Sequence, residues 1–188
     1  MHLERTQTPA GPLGAFAIAR RQFLSGARIS MGDLAAELGT SRVTLHRWVG
    51  SRDQLLGEIL WSLADRTLAD ARRATKLTGG AGVARAFGRF MTSVNEAPFM
   101  QAFLGREPEI ALRVLTTKNS PVQGRLVQRM TEMLEEEVRQ GRLVAAMGLE
   151  DLAYIIVRLG EAFVYTDVIT GGQPNPKKAE EAIAVLLR

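Results

Sequence analysis

The chain has no cysteine and only two histidines, His2 and His46. The first absence removes disulfide frameworks, thiol nucleophiles and cysteine-based metal sites together. The second leaves too few imidazoles for a histidine-built metal or acid–base centre. No glycine-rich phosphate loop, nucleophile elbow or metal-ligand cluster is present either, so catalysis is not expected, nor a cofactor, nor a metal. Long hydrophobic runs are also missing. The longest purely apolar stretches, such as residues 152–157 and 182–187, fall far short of the ~20 residues that span a bilayer, so no membrane partner is expected. Ala15 to Ala19 is apolar but is followed by Arg20 and Arg21, the reverse of a secretion signal's polarity, and a reducing cytoplasm is the expected setting. Strand alternation and hairpin turns are lacking, which leaves an all-α chain.

What the chain does have is a positive end. Residues 1–52 hold seven arginines against Glu4, Asp33 and Glu37, while the remainder balances, so the whole formal excess of +4 lies in this segment. An excess so placed suits contact with phosphate, although a solvated basic face is the ordinary alternative. The same segment carries SMGDLAAELGTSRVTLHRWVGSRDQ from Ser30 to Gln54. Leu34, Ala35 and Leu38 share one helical face, Gly39 follows where the chain must turn, and Leu45 and Trp48 repeat the apolar face beyond it. Ala35 is small where two helices would cross, and Gly39 tolerates a positive φ. Ser41 is placed to cap the second helix, leaving Arg42, Thr44, His46 and Arg47 away from the core. Such a helix suits the major groove of double-stranded DNA.

Residues 1–12, punctuated by Pro9, Gly11 and Pro12, are expected to form a mobile tail. Residues 13–54 are expected to form a DNA-binding unit of three helices, beginning with a bracing helix over 13–24, and residues 55–188 a ligand-binding and dimerisation domain. Ser51 with Gln54 three residues on has the spacing of a capping box. It opens a connector helix running to about Thr75, with Leu55, Leu56, Ile59, Leu60, Leu63 and Leu68 on its apolar side. Residues 77–82 read as a glycine-rich break. Helices are then expected over 83–95, 98–105, 108–117, 121–140, 149–170 and 176–187, four opened by proline. Glu135 to Glu137 reads as a solvated helix face.

The stretch DLAAELGTSRVTLHRWVGSRDQLLGEIL resembles the TetR-type transcriptional regulators, with Gly39, Ser41, Thr44, Leu45, Trp48, Ser51 and Leu55 in family register. His46 stands where tyrosine is more common, and Arg52 where lysine is. The resemblance implies a homodimer that places two reading helices in successive major grooves of a near-palindromic operator. It also implies release by a small-molecule effector. Ser41, Arg42, Thr44, His46, Arg47, Ser51 and Arg52 are the expected DNA contacts: Arg42 and Thr44 to specify, His46 and Arg52 to position. EPEIALRVLTTKNSPVQGR and LAYIIVRLGEAFVYTDVITG are similar to the QsdR-type subgroup linked to quorum-sensing lactone degradation, which implies a lactone or related lipophile as effector. A DNA-binding architectural protein without an effector is the alternative.

The helices over 121–140 and 149–170 are the expected dimer interface, through Val127, Met130, Leu134, Ile155, Leu159 and Ala162; an intrachain core is the alternative. Tyr154, Arg158, Glu161 and Tyr165 follow one another at steps of four, three and four and so share a face. That face is expected to meet a ligand pocket, a structural pair or the dimer partner. Trp61, Phe87, Met91, Phe99 and Phe103 are expected as apolar lining, with plain core as the alternative for each.

Overall fold

The computed structural model describes residues 11–188, which form eleven helices and no strand. Most of the expected tail lies outside these residues. Pro12, however, already belongs to the first helix, α1 (Pro12–Leu24), at a position where its missing N–H costs nothing. α2 (Met31–Glu37) and α3 (Arg42–Val49) follow, capped by the side chains of Ser30 and Ser41. α4 (Arg52–Arg73) begins at the expected capping box: Ser51 accepts from the Gln54 N–H, and Gln54 accepts from the Ser51 N–H. Gly39 turns between α2 and α3 with φ +62°.

Ala15, Ile18, Ala19 and Phe23 of α1 meet Leu34, Ala35 and Leu45 of the two shorter helices. Leu34 and Leu45 are fully buried. α1 to α3 therefore pack as one small unit on the start of α4, whose Leu55, Leu56 and Ile59 continue the same core.

Beyond α4 come α5 (Gly79–Glu96), α6 (Pro98–Arg106), α7 (Pro108–Thr116), α8 (Pro121–Arg139), α9 (Leu149–Val164), α10 (Thr166–Thr170) and α11 (Pro176–Leu186). α4, α5, α8 and α9 surround the central core. α8 and α9 pack along each other, and α11 closes the far side against α5 and α9. No helix of the described residues is long and apolar enough to cross a membrane.

Three expectations are corrected. The glycine-rich stretch is not a break over its whole length, because α5 starts at Gly79. A side chain on Gly80 would run into the Leu187 carbonyl, so glycine lets the helix start press against the end of α11. The helix expected over 149–170 ends at Val164, and Tyr165 separates it from α10. There the Phe163 carbonyl accepts from Asn175 N–H (2.9 Å), drawing the loop before α11 against the end of α9.

Glu137, finally, is not on a solvated face but completely buried. Its carboxylate accepts from Arg142 Nε (2.7 Å), Gly79 N–H (2.7 Å) and Arg72 Nη2, joining the ends of α4 and α8 to the start of α5. Burial alone would raise its pKa. The hydrogen bonds from Arg142, Gly79 and Arg72 outweigh that and hold the carboxyl at about 2.

Candidate DNA-reading helix and effector cavity

α3 presents its polar residues outward because Leu45 anchors the opposite face. Arg42, Val43, His46 and Arg47 are exposed, whereas Thr44 is half-buried and its hydroxyl shares a hydrogen bond with Ser41 Oγ (3.0 Å). Thr44 N–H also donates to Ser41 Oγ (3.1 Å), so these two residues build the helix start as well as bordering the exposed face. Among the described residues, Arg42, His46 and Arg47 take part in no ion pair, which leaves three donor side chains on one short helix uncommitted. Val43 was missed by sequence reasoning. At 80% exposure it offers an apolar contact in the middle of this face, and an uninterrupted apolar residue beside Arg42 was the available signal.

Arg52 departs from its expected role. Its guanidinium turns inward: Nη2 meets Glu107 Oε2 at 2.5 Å, and Nε donates to the Ile29 carbonyl at 2.7 Å. Arg28 Nε holds the other Glu107 oxygen at 2.8 Å. Only 17% of the Arg52 side chain is exposed, so it braces the protein from within and is not presented to a phosphate. Burial raises the Glu107 pKa, but the bonds from Arg52 and Arg28 prevail and lower it below the usual carboxylate range. Phe23 of α1 packs beside this joint on Phe99 (5.6 Å between centroids) and edge-on against Phe103 (5.4 Å) of α6.

A cavity of about 190 Å³ lies between α4, α5, α6, α8 and α9. It exceeds the engineered hole of about 150 Å³ that admits benzene in another protein. Of the expected lining residues, Phe87, Met91, Phe99, Glu161 and Tyr165 border it, together with Leu60 and Leu63 of α4. Trp61, Phe103, Tyr154 and Arg158 do not. Trp61 turns toward α8, where Arg125 lies over its ring at 5.9 Å; a one-residue offset on α4 separates it from Leu60 and so from the cavity. Phe103 is buried against α1. Tyr154 is half exposed; it shares the face of Glu161 but stands two turns before it, ahead of Val157, the first residue of α9 to border the cavity.

Arg158 stands at the boundary, donating through Nη1 to Glu161 Oε2 (2.6 Å) from an exposed position. Burial pushes the Glu161 carboxyl up to about 7 against the opposing pull of Arg158. Tyr165 is buried, and burial together with the Glu161 charge raises its pKa well above the ordinary range, so its hydroxyl stays a proton donor.

The expected dimer residues divide in two. Met130 and Leu134 are fully buried within the chain and belong to its core. Their spacing on α8 points them at α9 and α4, and a helix with a broad apolar stripe does not reveal which edge meets which neighbour. Val127, Ile155 and Leu159 are half-buried and Ala162 is exposed, on the outer sides of α8 and α9.

Residues 78–188 match the family described as tetracyclin repressor-like, C-terminal domain. Among solved structures, the R. erythropolis transcriptional repressor QsdR from the TetR family is similar at 28% identity. The similarity covers 94% of this chain and 93% of that one, with a TM-score of 0.88. The TetR family repressor AlkX from Dietzia sp. strain DQ12-45-1b, implicated in biodegradation of n-alkanes, shares the fold at 23% identity and a TM-score of 0.64. There the coverage is 94% of this chain and 93% of that one. No curated protein matches. With the C-terminal match spanning more than half of the sequence and the QsdR fold followed almost end to end, the chain belongs to the TetR family of transcriptional regulators.

Proposed function

We propose that this protein is a transcriptional repressor that binds a near-palindromic operator as a homodimer and is released when a small lipophile enters the cavity. Residues 13–54 form the reader in this reading, and residues 55–188 the effector and dimer domain. The observation that carries it is the continuity of α4. Its first residue follows α3 after only Gly50 and Ser51, and its middle, at Leu60 and Leu63, borders the cavity. A ligand that favours one position of α4 thereby favours one position of the reading helix.

Arg42 and the methyl of Thr44 read base edges, with Val43 as an apolar neighbour. His46 and Arg47 set the register on phosphates, and the starts of α3 and α4 at Ser41 and Ser51 offer backbone N–H groups. Val127, Ile155, Leu159 and Ala162 meet their counterparts across a twofold axis, spacing the two reading helices about 34–36 Å apart. A lactone or related small lipophile is the candidate effector that the sequence resemblance supplies.

The test begins by selecting bound fragments from the source genome and titrating them with purified protein. Arg42→Ala is expected to weaken operator binding by about 10- to 100-fold, the scale of one good base contact, and random DNA less. Equal losses on both sequences overturn the assignment of Arg42. Sedimentation at micromolar concentration showing only monomer overturns the dimer.

A further inference from the structure

The cavity is apolar almost throughout, yet two polar residues four positions apart at the end of α9, Glu161 within it and Tyr165 just after it, border the cavity without full partners. Glu161 uses Oε2 for Arg158, while its Oε1 takes no hydrogen bond among the described residues. The Tyr165 hydroxyl likewise has no partner among them. Neither atom is sealed off, since no buried side-chain nitrogen or oxygen of the described residues is left without a hydrogen bond. Both atoms thus keep accessible surface, and both residues border the cavity. An unmet acceptor beside an unmet donor in an apolar space is a recognition element, because a ligand lacking matching groups leaves both desolvated.

The charge that such a ligand carries follows from the surroundings. Glu161 already has one cation, Arg158, so a second cation would leave the site with net positive charge in an apolar space. An anion would face the carboxyl with no uncommitted cation lining the cavity. An uncharged head adds no charge, and the ionised carboxyl, with Oε2 engaged by Arg158, keeps Oε1 to accept.

Resting on the reading of the cavity as the effector site, we infer that Glu161 and Tyr165 select an uncharged lipophile. Its polar end donates a hydrogen bond to Glu161 Oε1 and accepts one from the Tyr165 hydroxyl, as an alcohol or a primary or secondary amide does. An ester or lactone ring offers only the acceptor. The apolar remainder lies among Phe87, Met91 and Phe99.

The experiment is a set of DNA-free titrations of the full chain, by displacement of Nile red, with 1-octanol, octanamide, γ-octalactone, octanoate and octyltrimethylammonium. The octanol and octanamide heads are expected to bind about 10-fold more tightly than either charged one, with the lactone between, a difference on the scale of one or two hydrogen bonds. Tyr165→Phe is expected to weaken octanol about 5-fold while barely moving the charged compounds. Glu161→Gln, which keeps a hydrogen-bonding group at the cavity but no charge, is expected to hold octanol affinity within about 2-fold, because a hydroxyl accepts as well as donates, whereas Glu161→Leu weakens it about 10-fold.

The inference is overturned if octyltrimethylammonium binds most tightly and Glu161→Gln abolishes it, if Tyr165→Phe leaves octanol unchanged, or if none of the five displaces the dye. Thermal melts of each variant separate lost affinity from lost fold. These titrations contain no DNA, so they read the cavity whether or not the operator assignment stands.

Discussion

Two buried glutamates, at Glu137 and Glu161, show how differently one fold can treat the same side chain. Glu137 lies where α4, α5 and α8 meet, with donors from Arg72, Arg142 and Gly79 around it, and its carboxyl is held at about 2. Glu161 has a single donor, Arg158, beside an apolar cavity, and burial lifts it to about 7. Complete hydrogen bonding makes a buried charge a structural tie. Incomplete bonding next to a cavity leaves an accepting oxygen available to whatever enters. The difference separates a residue that holds the fold from one that the fold holds ready.

The sharpest way to break this contrast is Glu137→Leu. It strands two arginines and a backbone N–H, and about 3 kcal/mol of stability should be lost, measured by urea unfolding at fixed protein concentration. A loss under about 0.5 kcal/mol would mean that Glu137 is no tie. The native protein should also weaken as acid protonates this group. Its contribution is present above the ordinary value of 4.5 and disappears as pH falls toward about 2, a change of roughly 3 kcal/mol if complete. Glu137→Gln should flatten that acid limb.

Glu107 is the intermediate case, held by two arginines at the junction of α6 and α7. Arg52→Ala removes the less exposed of them and should cost about 2 kcal/mol in the same unfolding assay. No change there would return Arg52 to the surface role expected of it.

Glu161→Gln should act in the opposite direction. Because the folded state binds this proton more tightly than the unfolded chain, native stability declines as pH rises from 4.5 through about 7. The amide should therefore gain on the native protein progressively as pH rises from 4.5 through about 7 and gain nothing below 4.5, as read from paired melts across pH. A gain at low pH instead would contradict the burial of that carboxyl. The smallest effect belongs to an exposed pair: Asp70→Ala, which frees Arg73, should stay within about 0.5 kcal/mol at any pH.

The same contrast explains what was readable from the chain. The Ser41 and Ser51 caps, the Gly39 turn and the burial of Leu45 depend on neighbours within a few positions, and each stands where the spacing placed it. Glu161 and Tyr165 were legible as a four-residue step on one helix. Glu137 was not, because two of its three donors come from 65 and 58 positions away, and nothing local distinguishes it from Glu135 and Glu136. Trp61 and Met130 failed for a related reason: helical spacing assigns residues to a face but leaves open what that face meets. Arg52 looked like a surface cation until the fold brought Glu107, 55 positions on, to its side.

The joint at Glu107 also sets a rule for exchanging parts. A chimaera that replaces residues 13–54 with the reading unit of a relative discards Arg28 and Arg52 together, while Glu107, with only about a tenth of its side chain exposed, remains on the recipient. Unless the incoming unit brings a cation to each side of that carboxylate, the graft leaves a nearly buried charge at its own seam. The portability of this reader is thus decided by one residue outside it.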